Sequence, residues 1–469
     1  MNNMKRHFIL FSLMAIVAVA CNKKDDTAEI EREKARQDSI NTNIKINDCI
    51  YGIMKDFYLW NKELPKYVKN DSRYPEDYFE SLLYSADHWS FCVADGEEYL
   101  AESAGEPYSM GYAPQVWGYN SGKNVLIIVE YVYPGSPADR AGLKRGDIIL
   151  AIDGEFLTAD NFYDLYQKES ATYSTAYYDP KANELNLDGR ELTMQAEIVM
   201  ADPAIYDTIF MVGNKPVGYF VYTAFTSGTS YHASIDAAFD RFKAAGVKDL
   251  ILDLRYNGGG DVETACHLAS AIAPASVVTN HEVFIKYEYN QVLSHYPEYY
   301  EPSVNFPSNA HNADMENLYV LGTNGTASSS EIVTIGLAPY MNVKLIGTKT
   351  YGKYTTMFVF HKSLDKVFSD LDDWVLLPVC MKYSNAEGFT DFDGGLTPDY
   401  AVEDDLLGGY QFGDVNDPML ATALDVIGGM PLTTKAARVN PFKYICRNRS
   451  AFNNNMIAKP RPLKKTVED

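Results

Sequence analysis

The spacing of apolar positions changes along the chain, and each change marks a new unit. Phe8 to Ala20 is a 13-residue apolar run, interrupted only by Ser12, behind a basic stretch, Lys5-Arg6-His7. A membrane-spanning helix needs ~20 apolar residues, so this run has the layout of a signal peptide instead. Residues 22–43 are polar and highly charged, and predict a tether, helical in part, with no core of its own. From Ile44 the pattern becomes helical: Ile46, Ile50, Ile53, Met54, Phe57 and Tyr58 recur near a period of 3.6. Tyr74-Pro75-Glu76-Asp77 then opens a second helix with proline in its first turn. Residues 44–104 therefore predict a small helical domain, closed by Asp87-His88-Trp89-Ser90-Phe91, in which His88 reads as a satisfied structural histidine.

Over 105–205 the texture is β. Val125 to Val129 is a strand, Ser136-Pro137 starts a short helix and Gly142 ends it. Gly146-Asp147 turns the chain into an apolar strand, Asp153-Gly154 turns it again, and Asn161 to Tyr166 forms a second helix. Over 206–431 strands alternate with helices. Val217 to Tyr222 precedes a helix over 231–245. Leu250 to Arg255 is almost wholly apolar, as a strand buried on both faces must be. It runs into Tyr256-Asn257-Gly258-Gly259-Gly260 and a helix over 261–272. Leu318 to Leu321 leads into Gly322-Thr323-Asn324-Gly325-Thr326-Ala327-Ser328-Ser329-Ser330-Glu331, then an amphipathic segment to Tyr340. Strands follow at 343–347, 357–360 and 375–382, and a last helix at 417–427. Residues 432–469, basic and Asn-rich, predict an appendage. The fold class is α/β, in a multidomain α+β chain.

Composition narrows the function. A net charge of −22 and a pI of about 4.8 oppose the phosphate contacts of a nucleic-acid partner. Six cysteines occur without a CxxC pair, so neither a disulfide scaffold nor a zinc site is implied. One of them, Cys21, follows Ala18-Val19-Ala20, which resembles a bacterial lipobox; the alternative is ordinary signal cleavage beside a coincidental cysteine. On the lipobox reading Cys21 is lipidated, and the protein sits in the outer membrane facing the periplasm or the cell surface. Asn22-Lys23-Lys24-Asp25-Asp26 resembles the acidic export signal of some surface lipoproteins.

The candidate chemistry sits where strands meet helices. Ser328 at a helix start is a favoured cap. It is also well placed for a nucleophile, because the N–H groups of a helix start stabilise negative charge. Three adjacent glycines at 258–260 match no nucleotide-binding pattern and could either form a plain turn or aim N–H groups at an oxyanion. The eight histidines form no Ser/His/Asp signature and no G-x-S-x-G surrounds Ser328. Lys353, 25 positions after Ser328, remains as a base if burial lowers its pKa. No metal or other cofactor is implied.

Two resemblances join these pieces. Val132-Tyr133-Pro134-Gly135-Ser136-Pro137-Ala138-Asp139-Arg140-Ala141-Gly142-Leu143-Lys144-Arg145-Gly146-Asp147 resembles a PDZ domain in the permuted form of bacterial proteases. Such domains add a peptide as an extra strand and hold its C-terminal carboxylate; Ser109-Met110-Gly111-Tyr112 is the candidate carboxylate loop. The order Asp253-Leu254-Arg255-Tyr256-Asn257-Gly258-Gly259-Gly260, Ser328-Ser329-Ser330-Glu331, Gly352-Lys353 is similar to the C-terminal processing (tail-specific) serine proteases. That resemblance implies a ClpP/crotonase-like β/α protease core with an inserted PDZ domain. It implies Ser328 as nucleophile and Lys353 as base. Gly259, or its neighbour Gly260, and Ser329 would form the oxyanion hole, with Glu331 and Thr350 supporting and Ser330 a plain helix residue. The substrates implied are proteins or peptides. Two positions depart from the family: Met357 stands where Gln often orients the lysine, and Pro339 where some members carry Asp. The lysine's third partner stays open among Thr350, Thr355 and Glu331. A peptide-binding lipoprotein that kept the scaffold without catalysis is the alternative.

Overall fold

The structure is a computed structural model that describes residues 34–104, 107–297, 299–432, 440–447 and 457–458. The expected signal peptide, Cys21 and the start of the tether lie outside the described residues.

Helix α1 covers residues 34–57 and crosses the domain boundary expected at residue 44. Its first described residues, Lys34, Ala35, Arg36 and Gln37, are all strong helix formers, so the helix extends outward beyond its apolar stripe. Burial begins only at Ile46. The helical unit shares its core: Ile50, Phe57, Tyr58 and Phe79 pack with Phe358, Phe360, Leu376 and Cys380 from the far end of the chain. Phe91–Val93 pairs antiparallel with Val375–Leu377. The strand expected over 375–382 is divided at Pro378, which has no N–H for a ladder.

The middle unit is a sheet of β1 (Tyr112–Tyr119), β2 (Asn124–Val132), β3 (Ile148–Ile152), β4 (Ser170–Asp179) and β5 (Glu184–Gln195), all antiparallel neighbours in that order. Helix α2 (Pro137–Ala141) is capped by Ser136, whose hydroxyl accepts from Asp139 N–H, and ends at Gly142 with φ +85°. Helix α3 is Phe162–Tyr166. One sheet face packs under α3 through Val116, Ile127, Ile149 and Leu165. The other packs on the rest of the protein through Leu126, Ile128, Ile148 and Tyr256.

The third unit is a six-stranded sheet in the order β6 (Ala204–Val212), β7 (Lys215–Tyr222), β8 (Asp249–Asp253), β10 (Asn317–Gly322), β11 (Asn342–Gly347) and β14 (Tyr400–Ala401). All neighbours after β7 are parallel. Helices α4 (His232–Ala244), α5 (Val262–Ile272) and α6 (Ser329–Leu337) cover one face and α7 (Pro418–Gly428) the other. Both faces are buried, which explains the apolar runs of β8 and β10. A second sheet of β9 (Val283–Tyr289), β13 (Val379–Asn385) and β12 (Thr355–Phe358) abuts it. After α7 the chain returns to the middle unit: β15 (Lys443–Arg447), expected as part of an appendage, pairs antiparallel with β1.

A buried charge cluster closes the seam between the middle unit and the core. Arg255 bonds Asp253 at 2.8 Å and Asp404 and Asp417 at 2.9 Å each. Arg145, from the middle unit, meets Asp404 at 2.9 Å and also donates to Tyr256 Oη and Tyr410 O. Breaking a buried pair leaves an uncompensated charge, so Arg145→Ala is expected to cost about 3–5 kcal/mol. A denaturant midpoint unchanged from wild type would contradict that role.

Candidate active site

β8 and β10 are parallel neighbours, so the loops leaving their C-terminal ends emerge side by side. In open parallel sheets this is where ligands bind. The first loop carries the glycines and the second carries Ser328.

Ser328 is fully buried at the N-terminus of α6 and adopts φ +60°, ψ −115°. Such a backbone costs a non-glycine residue about 1–3 kcal/mol and persists only where its surroundings impose it. The same kind of sharp strand-to-helix turn lifts a nucleophilic serine out of other sheets. Here the imposing group is Glu331, which forms a capping box with Ser328. Its carboxylate, also fully buried, accepts from Ser328 N–H at 2.8 Å and Lys353 N–H at 2.9 Å on Oε2. Its Oε1 accepts from Gly352 N–H at 2.7 Å and the Thr350 hydroxyl at 2.5 Å. One oxygen thus ties the backbones of Ser328 and Lys353 together. Burial pushes the Glu331 carboxyl up, and these four donors pull it back. Tyr383 adds a second tie: its hydroxyl donates to Lys353 O at 2.6 Å and lies 3.4 Å from Ser328 O.

The Lys353 side chain is wholly buried, and desolvation holds its pKa well below 10.5 against the opposing pull of Asp87 and Glu331. Its amine reaches Met357 Sδ at 4.0 Å. A thioether is a weak acceptor and does little to hold an ammonium. Of the three groups left open as the lysine's partner, Thr350 and Glu331 bond each other, and the buried Thr355 hydroxyl has no partner among the described residues.

The glycine loop is pinned against Ser328. Gly259 has φ +105°, and a Cβ there would lie 2.7 Å from Ser328 Cβ. Gly260 has φ +136°, and its Cβ would lie 2.1 Å from Phe225 O. The N–H of Gly259 donates to Asn257 Oδ1 at 2.9 Å, so of the two glycines it is the one already engaged. The Ser329 hydroxyl donates to Gly260 O at 2.7 Å. Ser330, expected as a plain helix residue, donates to Asn257 O at 2.9 Å and fastens the same loop.

The structure therefore brings Ser328, Ser329, Glu331, Thr350, Lys353, Gly259 and Gly260 to one place. Sequence reasoning missed Asp87, Tyr383 and the roles of Asn257 and Ser330. Asn257 stood inside the glycine motif, but Tyr383 and Asp87 come from distant strands and loops and carry no local signal. His88, read as a satisfied structural residue, is exposed. Its neighbour Asp87 is the buried one, accepting from Tyr58 Oη at 2.7 Å and from Ser90 Oγ at 2.5 Å.

Met110, Gly111 and Tyr112 lie elsewhere, at the start of β1. Gly111 has φ +81°, and its carbonyl accepts from Tyr133 N–H at 2.9 Å and from the Ser136 hydroxyl at 3.1 Å. A cavity of about 520 Å³ opens there, bordered by Ser109, Met110, Tyr112, Tyr166 and Lys168. The buried Tyr112 hydroxyl has no partner among the described residues. The same cavity reaches Ala224 and Thr226, on either side of the Phe225 that buttresses Gly260. A second cavity of about 510 Å³ borders the glycine loop at Asp261 and is lined by Glu263, His267, Tyr287, Tyr289 and Glu301. No group of three or more metal-ligating side chains occurs among the described residues.

Comparison with known proteins agrees with this layout. Residues 216–402 match the model of peptidase family S41, residues 45–91 that of the peptidase S41 N-terminal domain and residues 128–167 that of a PDZ domain. The chain is similar to a carboxyl-terminal-processing protease of Synechocystis sp., 25% identical over 393 residues, with 80% of this chain and 82% of the relative aligned. It is 28% identical over 299 residues to the chloroplastic carboxyl-terminal-processing peptidase 2 of Arabidopsis thaliana, covering 63% of this chain but only 52% of that protein. A crystal structure from Bacteroides fragilis assigned to the S41 proteases superposes with a TM-score of 0.68 at 27% identity, over 81% of this chain and 97% of that one. On these grounds the chain belongs to peptidase family S41, with that family's N-terminal domain and a PDZ domain, and is homologous to the carboxyl-terminal-processing proteases.

Proposed function

We propose that this chain is a serine endopeptidase working through a Ser328–Lys353 dyad on polypeptides whose C-termini its PDZ domain captures. The observation that carries the reading is the shared Glu331 oxygen: it fixes a strained serine and a desolvated lysine on one support. A lysine whose pKa burial pushes down reaches its neutral form more easily than an exposed one, and in that form can take the proton of Ser328 Oγ as that oxygen attacks the scissile carbonyl. The N–H groups of Gly260 and Ser329 hold the developing oxyanion, Gly259 being engaged with Asn257. The lysine returns the proton to the leaving amine, and water then hydrolyses the acyl-enzyme with the same lysine as base. Met357, in place of a polar partner, helps keep the amine neutral.

Capture rests on the loop at Met110, Gly111 and Tyr112 and the cavity beside it, whose aromatic walls suit an apolar last residue. We further propose attachment to the outer membrane through lipidated Cys21. The test of catalysis is casein hydrolysis by purified wild type and Ser328→Ala. The variant is expected to lose at least ~10³-fold in kcat. Equal rates would remove the dyad, and no hydrolysis by either form would leave a peptide-binding lipoprotein.

A further inference from the structure

The middle unit's sheet has a strand that its own domain does not supply. β1 begins directly after the loop at Met110 and Gly111, and β2 takes one of its two edges. The other edge is where a peptide ending at that loop must add, antiparallel to β1. β15 lies on that edge and runs in that direction. Lys443 stands opposite Gly118, Tyr444 opposite Trp117, Cys446 opposite Val116 and Arg447 opposite Gln115. Side chains anchor it. The Tyr444 ring meets Trp117 edge-on at 5.3 Å, and Phe442 meets Tyr178 at 5.3 Å. Gly118 makes room for Ile445, whose Cδ1 would lie 3.2 Å from a Cβ at that position. The strand covers β1 only from Gln115 to Gly118 and leaves the cavity at Met110 and Tyr112 open.

We propose that residues 440–447 are an intramolecular ligand of the PDZ domain, a strand of this chain that must leave β1 before a substrate tail longer than a few residues can pair there. This rests on the reading that the domain captures C-termini. A strand edge bonds one partner at a time, and a tethered segment competes at an effective concentration on the order of millimolar. Apparent affinity scales with the fraction of molecules whose edge is free, so an edge free ~10% of the time weakens a long peptide about tenfold. A tripeptide that reaches only the open loop feels no such loss.

The test is fluorescence anisotropy with a ten-residue and a three-residue peptide sharing one apolar C-terminal residue. Each is titrated with the full chain, with Tyr444→Pro, and with a chain ending at Leu432. Proline removes the ring contact to Trp117, and its fixed φ near −65° fits an antiparallel ladder poorly, without touching the domain's own strands. Unchanged far-ultraviolet circular dichroism of Tyr444→Pro keeps the comparison valid if the shorter chain folds poorly. The expected result is binding of the ten-residue peptide about tenfold tighter to Tyr444→Pro, with the tripeptide unchanged. Equal affinity of the ten-residue peptide for the full chain and Tyr444→Pro overturns the inference and leaves capture standing. Binding of neither peptide to any form overturns capture itself, and the inference with it.

Discussion

Lys353→Met is expected to slow hydrolysis by ~10²–10⁴-fold and at the same time to raise the melting temperature. Methionine keeps the length and the apolar stem and deletes only the amine. As the proposed base, that amine contributes ~10²–10⁴-fold to the rate. Its burial, with one long contact to Met357 Sδ, is unfavourable to folding. A poorly satisfied buried polar group costs about 1–3 kcal/mol, and each 1 kcal/mol moves the melting temperature of a domain of this size by roughly 2–4 °C. The pH dependence has a definite sign. The folded lysine has a pKa held well below that of the unfolded chain, ~10.4. Between those two values the unfolded chain binds a proton the folded one does not, so wild-type stability rises with pH across that window. The advantage of Lys353→Met is therefore largest below the depressed folded pKa and fades as pH approaches the unfolded value. Wild-type kcat rises with pH through the depressed lysine pKa. A variant within tenfold of wild-type activity, or one that melts lower at pH 7, contradicts this account.

Glu331→Gln has the second largest effect, although the side chain touches no reacting atom. Four donors converge on the carboxylate, two on each oxygen. An amide presents one oxygen and two N–H groups, so two of the four donors face donors. Leaving them unsatisfied costs about 2–5 kcal/mol. The loss falls on the piece that holds Ser328 at φ +60° and the Gly352-Lys353 turn beside it. A displacement of 1 Å in a catalytic group can cost ~10²-fold, so kcat falls by at least that factor. KM for a C-terminally captured substrate stays near wild type because the loop at Met110 is untouched. A fall in KM affinity without a fall in kcat would show that Glu331 acts on binding instead.

The sequence showed some of this plainly and left other parts hidden, for physical reasons. The strands β8 and β10 were legible because burial on both faces writes a continuous apolar run. The roles of the serine, the glycines and the lysine were legible only through the family resemblance, because taken alone the serine reads as a helix cap, the glycines as a turn and the lysine as one cation among many. The strain at Ser328 was not legible, since a serine with φ +60° has the same letter as any helix cap. Nor was the tie through Tyr383, which reaches the site from an antiparallel strand of another sheet. The helical character expected of the tether is present at its end, but the boundary at residue 44 was not legible, because α1 runs across it on helix propensity before its first buried residue, Ile46. The tail was misread for the converse reason. An added edge strand needs only a few apolar anchors, here Phe442, Tyr444 and Ile445, and these are lost among basic and Asn residues.

The charge cluster at the seam bears on how this architecture can change by recombination. Asp253, Asp404 and Asp417 meet two arginines, and one of them, Arg145, belongs to the PDZ domain. A transplanted PDZ domain lacking an arginine at that turn would leave the buried Asp253 and Asp417 and the half-buried Asp404 facing a single cation. The peptidase and its PDZ domain are therefore matched at this join, and a chimera must carry Arg145 across it or neutralise Asp404 in the same step.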